Sequence, residues 1–477
     1  MCDREKDEIN YRYFSFDVQG SLPSTYDLRK QTYAPVLKDQ QSTGGCWAFS
    51  TTTVLETYAK KKLNVNEVYS TRHIEYSSTR AFLNNTYNED GYNRVLGSGG
   101  NAYMSGNYLI NGKGPILESE MPFKNNENAI DINEIKNKNV ALDVNNIALI
   151  EGSGVCSASE IEDIKRYVYE NGAVFTTTYM TLSTSYYNKT NYAYYYNGSN
   201  DSNHAITIVG WDDNFSRTKF SSYNRPKSNG AWIVQNSYGS SFGENGYYYL
   251  SYEDVLTCSA YMSITDVDTT IEDNNYVLDK LGYNAFMGYG ELSDGVTTAY
   301  GMNVFNKTSG REEVLKEVAF GSNGTGSYKI YYKEGNASTT SVSNMRLIGS
   351  GTISHSGYIT HKLSSPITIG KNVTSFSIAV FYDMDVTIRP VPVSANIHQK
   401  YQYMTAGPKT SYLSSNGTSW TDLNSGTDKI IASIKAYTDD VDYDFAIENK
   451  KVTYDNNVNV KITTNTRNID SENMSIV

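Results

Sequence analysis

Proline is scarce, at 9 of 477 residues, and so is cysteine, at 4. Little proline beside 42 tyrosines and a 13% aromatic share excludes wholesale disorder, because the chain carries the apolar surface that folding needs. Cys2, Cys46, Cys156 and Cys258 are far apart and form no C-x-x-C pair, which argues against a disulfide framework or a structural zinc site. Each of them reads first as a free thiol buried as a small hydrophobe. No apolar run approaches the ~18 residues of a membrane-spanning helix. Positive charge is not in excess: 41 Lys and Arg stand against 52 Asp and Glu, net −11, with the acids scattered. That excludes a nucleic-acid phosphate backbone as partner. The opening Met1-Cys2-Asp3-Arg4-Glu5-Lys6 lacks the hydrophobic segment of a signal peptide. Two readings follow, a cytosolic protein or a secreted one from which the export segment was trimmed.

At ~150 residues per domain the length suggests about three domains. Residues 1–21 are polar and without pattern, a remnant of a propeptide or an N-terminal extension. Over 22–264 helical and strand signals mix. Ala48, Phe49, Thr52, Leu55 and Tyr58 recur at three- and four-residue steps and predict a helix over 46–63. A second helix is predicted over 159–171, opening Ser159-x-x-Glu162 like a capping box and stopping at Gly172. Residues 124–154 are rich in Asn and Glu and read mostly as loop. Strands are expected at 173–179, 205–211, 231–235 and 247–251. The small, acidic stretch 265–275 reads as a linker. Beyond it every strong signal is β, at 328–333, 358–363, 376–382 and 430–437. Asn323-Gly324 and Asn416-Gly417 are hairpin-turn dipeptides. A β-sandwich over 276–438 is expected, and 439–477 reads as a linker or the first strands of a further β module.

One cysteine stands out. In Gln40-Gln41-Ser42-Thr43-Gly44-Gly45-Cys46-Trp47-Ala48-Phe49-Ser50 a glycine pair delivers Cys46 to the first turn of the predicted helix. Unpaired N–H groups and the helix dipole there favour a thiolate, the reactive form of a thiol. Gln40 on the entering loop, with the Cys46 N–H, can supply two donors to an oxyanion. The plain alternative is a buried helix-start cysteine beside a core tryptophan. Among the five histidines, His204 opens an apolar strand, Asn203-His204-Ala205-Ile206-Thr207-Ile208-Val209, where a rigid imidazole suits a general base. A lone histidine there is otherwise a satisfied core group. Asn236, in Gln235-Asn236-Ser237-Tyr238-Gly239, can fix the tautomer of such an imidazole with its amide oxygen, or simply form a turn.

Taken in order, these segments resemble the papain-like cysteine peptidases. Leu22-Pro23-Ser24-Thr25-Tyr26-Asp27-Leu28-Arg29 resembles the mature start of such an enzyme, and Asn236-Ser237-Tyr238-Gly239 through Gly243-Glu244-Asn245-Gly246-Tyr247 its closing motif. The resemblance implies an α+β domain with a helical subdomain and a β-barrel-like subdomain. It further implies an endopeptidase with Cys46 as nucleophile, His204 as base, Asn236 orienting His204, and Gln40 in the oxyanion hole, with no cofactor required. Gly97-Ser98-Gly99-Gly100-Asn101-Ala102 resembles the glycine-rich cleft edge, placing Gly99 and Gly100 against a substrate backbone; an ordinary Gly-rich loop is the alternative. Ala102, Thr176 and Ala205 then become candidates for a selectivity pocket, and Tyr238, which with Phe242 forms an aromatic lid over Asn236, a further substrate-binding candidate. Departures are visible: Thr43 replaces a cysteine usual in the family, so that disulfide is absent, and Tyr238 and Phe242 replace tryptophans.

A closer resemblance is to the branch of the family at clostridial cell surfaces, where a lectin-like β-sandwich follows the papain-like domain. Trp420-Thr421-Asp422-Leu423 and Ile434-Lys435-Ala436-Tyr437-Thr438 carry it. It implies a secreted, cell-surface or cell-wall monomer that matures surface proteins or degrades host or environmental proteins. The β domain then binds a cell-wall or carbohydrate ligand, or serves as a spacer. Asp383 and Asp385, carboxylates at i and i+2, are candidates for calcium in that domain, against the alternative of a solvated strand end. The same triad also serves an acyl transferase or transpeptidase, and a third class is a surface-binding protein without catalysis.

Overall fold

The computed structural model describes residues 20–82, 86–125, 132–136, 138–291, 295–385 and 387–441, together with the backbone of the strands Phe445–Ile447 and Ile462–Thr464. Cys2, the stretch 1–19 and most of 442–477 lie outside the described residues.

The helix carrying the candidate nucleophile spans Cys46–Tyr58 and continues as one wider turn, Ala59–Leu63. All of Trp47–Tyr58 is buried, so this helix is wrapped by the fold rather than laid on its surface. Thr71–Ser77 and Ala102–Ile110 pack beside it; Ser70 and Asn101 cap them, accepting the N–H groups of His73 and Met104. The remaining long helix is Ala158–Glu170, one residue earlier than its pattern predicts. Ser157-x-x-Glu160 and Ser159-x-x-Glu162 both fit a capping box, and the first is used. The Ser157 hydroxyl accepts the Glu160 N–H at 3.2 Å, and the Glu160 carboxylate accepts the Ser157 N–H at 2.8 Å.

Antiparallel strands make the other half of this domain. Asp143–Gly154, Cys258–Asp268, Val174–Thr178, His204–Asp212, Ala231–Gln235 and Tyr247–Ser251 lie side by side in that order. Two expectations are corrected here. Residues 143–154 form a strand, not a loop. Val144, Ile147, Ala148, Leu149 and Ile150 are buried, and the Asn pair is satisfied from a distant strand: Thr360 N–H donates to Asn146 Oδ1 at 2.8 Å, and the Thr360 hydroxyl to the Asn145 carbonyl at 2.6 Å. Nor is 265–275 simply a linker. The strand runs on to Asp268, pairing Asp266 with Asn146 and Asp268 with Asp143, and only 269–273 separate it from the next strand, Asn274–Val277. A third correction concerns cysteine: Cys156 and Cys258 are disulfide-bonded across 102 residues rather than free. The strand pairing sets Cys258 opposite Gly154, two residues before Cys156.

The C-terminal domain is a sandwich. One face is a six-stranded sheet that includes Gly326–Glu334, Ser375–Met384 and Thr298–Asn306; the other comprises Asn274–Val277, Ile434–Asp440, Glu313–Ser322 and Gly357–Ile369. Between them Phe305, Ile330, Ile378 and Val380 meet Leu315, Val318, Phe320 and Ile434 in a buried core. The second sheet joins that of the first domain, because Gly357 and Tyr358 pair with Ala148 and Ile147, giving one sheet of 13 strands. Polar groups bind the same boundary. The Tyr437 hydroxyl donates to the Ile110 carbonyl at 2.6 Å, and that of Tyr92 to the Leu281 carbonyl at 2.8 Å. A buried charge is tolerated only when paired, and within the C-terminal domain Lys435 Nζ meets Asp279 Oδ2 at 2.7 Å, both fully buried.

Candidate functional site

Cys46 opens its helix behind Gly45, which offers no side-chain cap, so the first helical N–H groups remain available to an anion. The loop before it packs closely. A Cβ on Gly44 would lie 2.2 Å from the Gly97 carbonyl oxygen, and one on Gly100 would lie 2.3 Å from the Trp47 ring. The Gly97–Gly100 segment thus abuts the loop that carries Cys46, while a Cβ on Gly99 would meet open space.

Across from the helix, the strand His204–Asp212 faces the thiol. Its Ala205 N–H donates to Cys46 Sγ at 3.4 Å. His204 Nε2 is 2.8 Å from Asn236 Oδ1, and the Tyr238 ring covers the imidazole at 4.8 Å between centroids. Phe242 meets Tyr238 edge-on at 5.4 Å, so the aromatic lid survives without indoles. Gln40 is buried and firmly held. Its Nε2 donates to the Thr43 carbonyl at 2.7 Å, its Oε1 accepts the Ser237 hydroxyl at 2.5 Å, and its N–H reaches the Ser237 carbonyl at 2.7 Å. Ser237 is a residue that sequence reasoning passed over; its place next to Asn236 was the available signal.

Burial dominates the electrostatics. It pushes the Cys46 thiol up, opposed by the N–H groups of Ala205 and Trp47 and reinforced by the Glu75 carboxylate. It lowers His204 to about 4, opposed by the bond to Asn236. Burial disfavours either charge alone, so thiol with imidazole, or thiolate balanced by imidazolium, are the net-neutral combinations it disfavours least. Nucleophilic attack by a thiol requires a proton transfer from sulfur to a neighbouring base.

The pocket candidates fare unevenly. Ala205 adjoins the thiol, whereas Ala102 is buried at the start of its helix. Thr176 is fully buried with its hydroxyl given to the Thr257 carbonyl, so its side chain faces the interior and does not line an open pocket. Asp383 is exposed, and Asp385 accepts the Thr325 hydroxyl at 2.6 Å. Among the described residues the acidic trio with atoms close enough to hold a metal is elsewhere: Asp143, Glu272 and Glu317 at the domain boundary. Among the described residues no helix is long and apolar enough to cross a membrane.

Known proteins resemble the chain in both halves. Residues 22–266 match the family described as papain family cysteine protease, and 275–438 match the lectin like domain. Vignain of Vigna mungo is 25% identical over 236 residues, 49% of this chain and 56% of vignain. Cathepsin S of Bos taurus is 26% identical over 234 residues, 49% of this chain and 61% of the cathepsin. The chain therefore spans less than two thirds of the curated relatives it matches. The clostridial cysteine protease Cwp84, solved after propeptide cleavage, superposes with a TM-score of 0.75 at 25% identity, over 88% of this chain and 100% of that one. A second structure, of the cysteine protease and lectin-like domains of Cwp84, described as a surface layer associated protein of Clostridium difficile, gives 0.74 at 24% identity and 91% of each chain.

Proposed function

Because the chain belongs to the papain family of cysteine proteases, we propose that it is an endopeptidase in which Cys46 attacks the scissile carbonyl. The observation that carries this reading is the His204–Asn236 bond at 2.8 Å on the same strand end whose Ala205 N–H touches Cys46 Sγ. Nε2, tied to an amide oxygen, keeps its proton, so the basic nitrogen is Nδ1. That nitrogen takes the thiol proton as the C–S bond forms and returns it to the leaving amine; water then releases the acyl group by the reverse path. The carbonyl oxygen, negative in the tetrahedral intermediate, is received by the Cys46 N–H and by the second Nε2 hydrogen of Gln40, the first being given to Thr43. No step calls for a metal or organic cofactor.

We place the enzyme at the cell surface, acting on surface or environmental proteins; the surface-layer description of Cwp84 supports this. The β-rich domain contributes binding, for a protein or carbohydrate, and supplies no group to the chemistry. Cys46→Ala should abolish both hydrolysis of a fluorogenic peptide and labelling by an epoxysuccinyl thiol probe. Activity retained in that variant would refute the assignment. Product ratios with an added amine separate hydrolysis from acyl transfer.

A further inference from the structure

The strand Tyr92–Val95 leads straight into Gly97, whose carbonyl abuts Gly44 beside the nucleophile. Its other flank is covered by the C-terminal domain. The turn Gln399–Tyr401 packs on it, with Asn93 Nδ2 donating to the Gln399 carbonyl at 3.1 Å and the Tyr401 ring meeting Tyr92 edge-on at 5.4 Å. Tyr401 and Met404 are buried in the core of the first domain. The loop 396–406 is therefore anchored next to the strand that feeds the cleft.

Large apolar side chains stand exposed around that anchor: Tyr87 at 55%, Val95 at 55%, Ile397 at 49% and Tyr403 at 47%. Ala81 pairs with Val95 on one side and with Tyr87 on the other, which sets these two on one face with Ala81 between them. The Arg80 guanidinium lies 4.2 Å over the Tyr403 ring and 6.0 Å from that of Tyr87, joining the loop to the same strip. Single exposed apolar residues need no explanation, whereas several grouped about one anchor beside the Gly97 segment do.

We propose that this strip is a distal substrate-binding surface, built jointly by Tyr87 and Val95 of the first domain and Ile397 and Tyr403 of the second. It holds apolar or aromatic side chains of a polypeptide that runs past Gly97–Gly100. The inference rests on the peptidase reading above. Its occupant follows from continuity with the cleft. An extended chain advances about 3.3–3.6 Å per residue, so one lying along Gly97–Gly100 is carried toward Val95 and then to the interdomain strip. Tyrosine faces and a flat guanidinium receive apolar and aromatic side chains well. The C-terminal domain thus helps select long substrates over short ones.

Three peptides sharing the same residues at the cut test this: a short one, one extended with aromatic residues on one side, and one extended on the other. The variant Ile397→Ser/Tyr403→Ala alters half-exposed side chains, giving up the Arg80–Tyr403 contact, and should melt close to the native protein. It should cleave the short peptide at the native rate and lose about tenfold in kcat/KM, through KM, on one of the two extended peptides only. Val95→Ser should show the same selective loss from the other domain. Native kcat/KM on every peptide in both variants, or an equal loss on all three, overturns the proposal. Thiol-probe labelling of Cys46 in the same samples reports separately on the peptidase reading.

Discussion

Asn236 Oδ1 accepts twice, from His204 Nε2 at 2.8 Å and from the Ser237 N–H at 2.8 Å. The second bond fixes the amide so that its oxygen, never its NH2, faces the imidazole. One tautomer of His204 follows, with Nδ1 left as the basic nitrogen. Asn236→Ala should therefore lower kcat by roughly tenfold or more with little change in KM, since orientation of the base is lost and substrate contacts are kept. A rise in KM at constant kcat would assign Asn236 to substrate binding instead.

The pH profile of kcat/KM should be broad. Protonation of His204, lowered to about 4 by burial, removes the net-neutral couple and sets the acid limb. Loss of the remaining proton sets the alkaline limb, above the ordinary thiol range because burial raises Cys46. A plateau between these limbs is expected in stopped-time assays. An acid limb near the ordinary histidine value of 6.5 would show that His204 is not desolvated in the working enzyme.

Replacing both Cys156 and Cys258 by serine should cost about 2–5 kcal/mol of stability, chiefly by freeing a long loop in the unfolded chain. The bond closes 102 residues and ties the end of Asp143–Gly154 to the start of Cys258–Asp268. Reductant should lower the melting temperature of the native protein and leave that of the double variant unmoved.

At the domain boundary the acids carry the opposite sign of pH dependence from an ordinary ion pair. Burial, with neighbouring carboxylates, raises Asp143 to about 7 and Glu317 to about 8. Glu272 and Asp268 face them, and Lys362, 2.8 Å from Asp268 and 3.9 Å from Glu317, only partly offsets the charge. The folded protein keeps protons that the unfolded chain gives up near pH 4, so this cluster weakens the fold as pH climbs from there to about 8. Glu317→Gln should match the native melting temperature near pH 5 and exceed it near pH 8. A gap independent of pH would show that Glu317 does not titrate in this range.

Sequence alone determined the family and pointed to the candidate site residues. Gln40, Cys46, His204 and Asn236 each sit in a short local pattern, and the strands Ala231–Gln235 and Tyr247–Ser251 fall where their apolar residues place them. These features depend on near neighbours, which periodicity and motif spacing record. Tertiary structure decided what distant partners control. Asn145 and Asn146 read as loop until Thr360, more than two hundred residues on, supplies their hydrogen bonds. Asp266 and Asp268 read as a linker until the strand Asp143–Gly154 pairs with them and Lys362 meets Asp268. Cys156 and Cys258 read as unrelated thiols until the same pairing sets them together. Polar residues in a strand are legible only when the groups that satisfy them lie close in sequence, and here they lie more than ninety residues away, in part in the other domain.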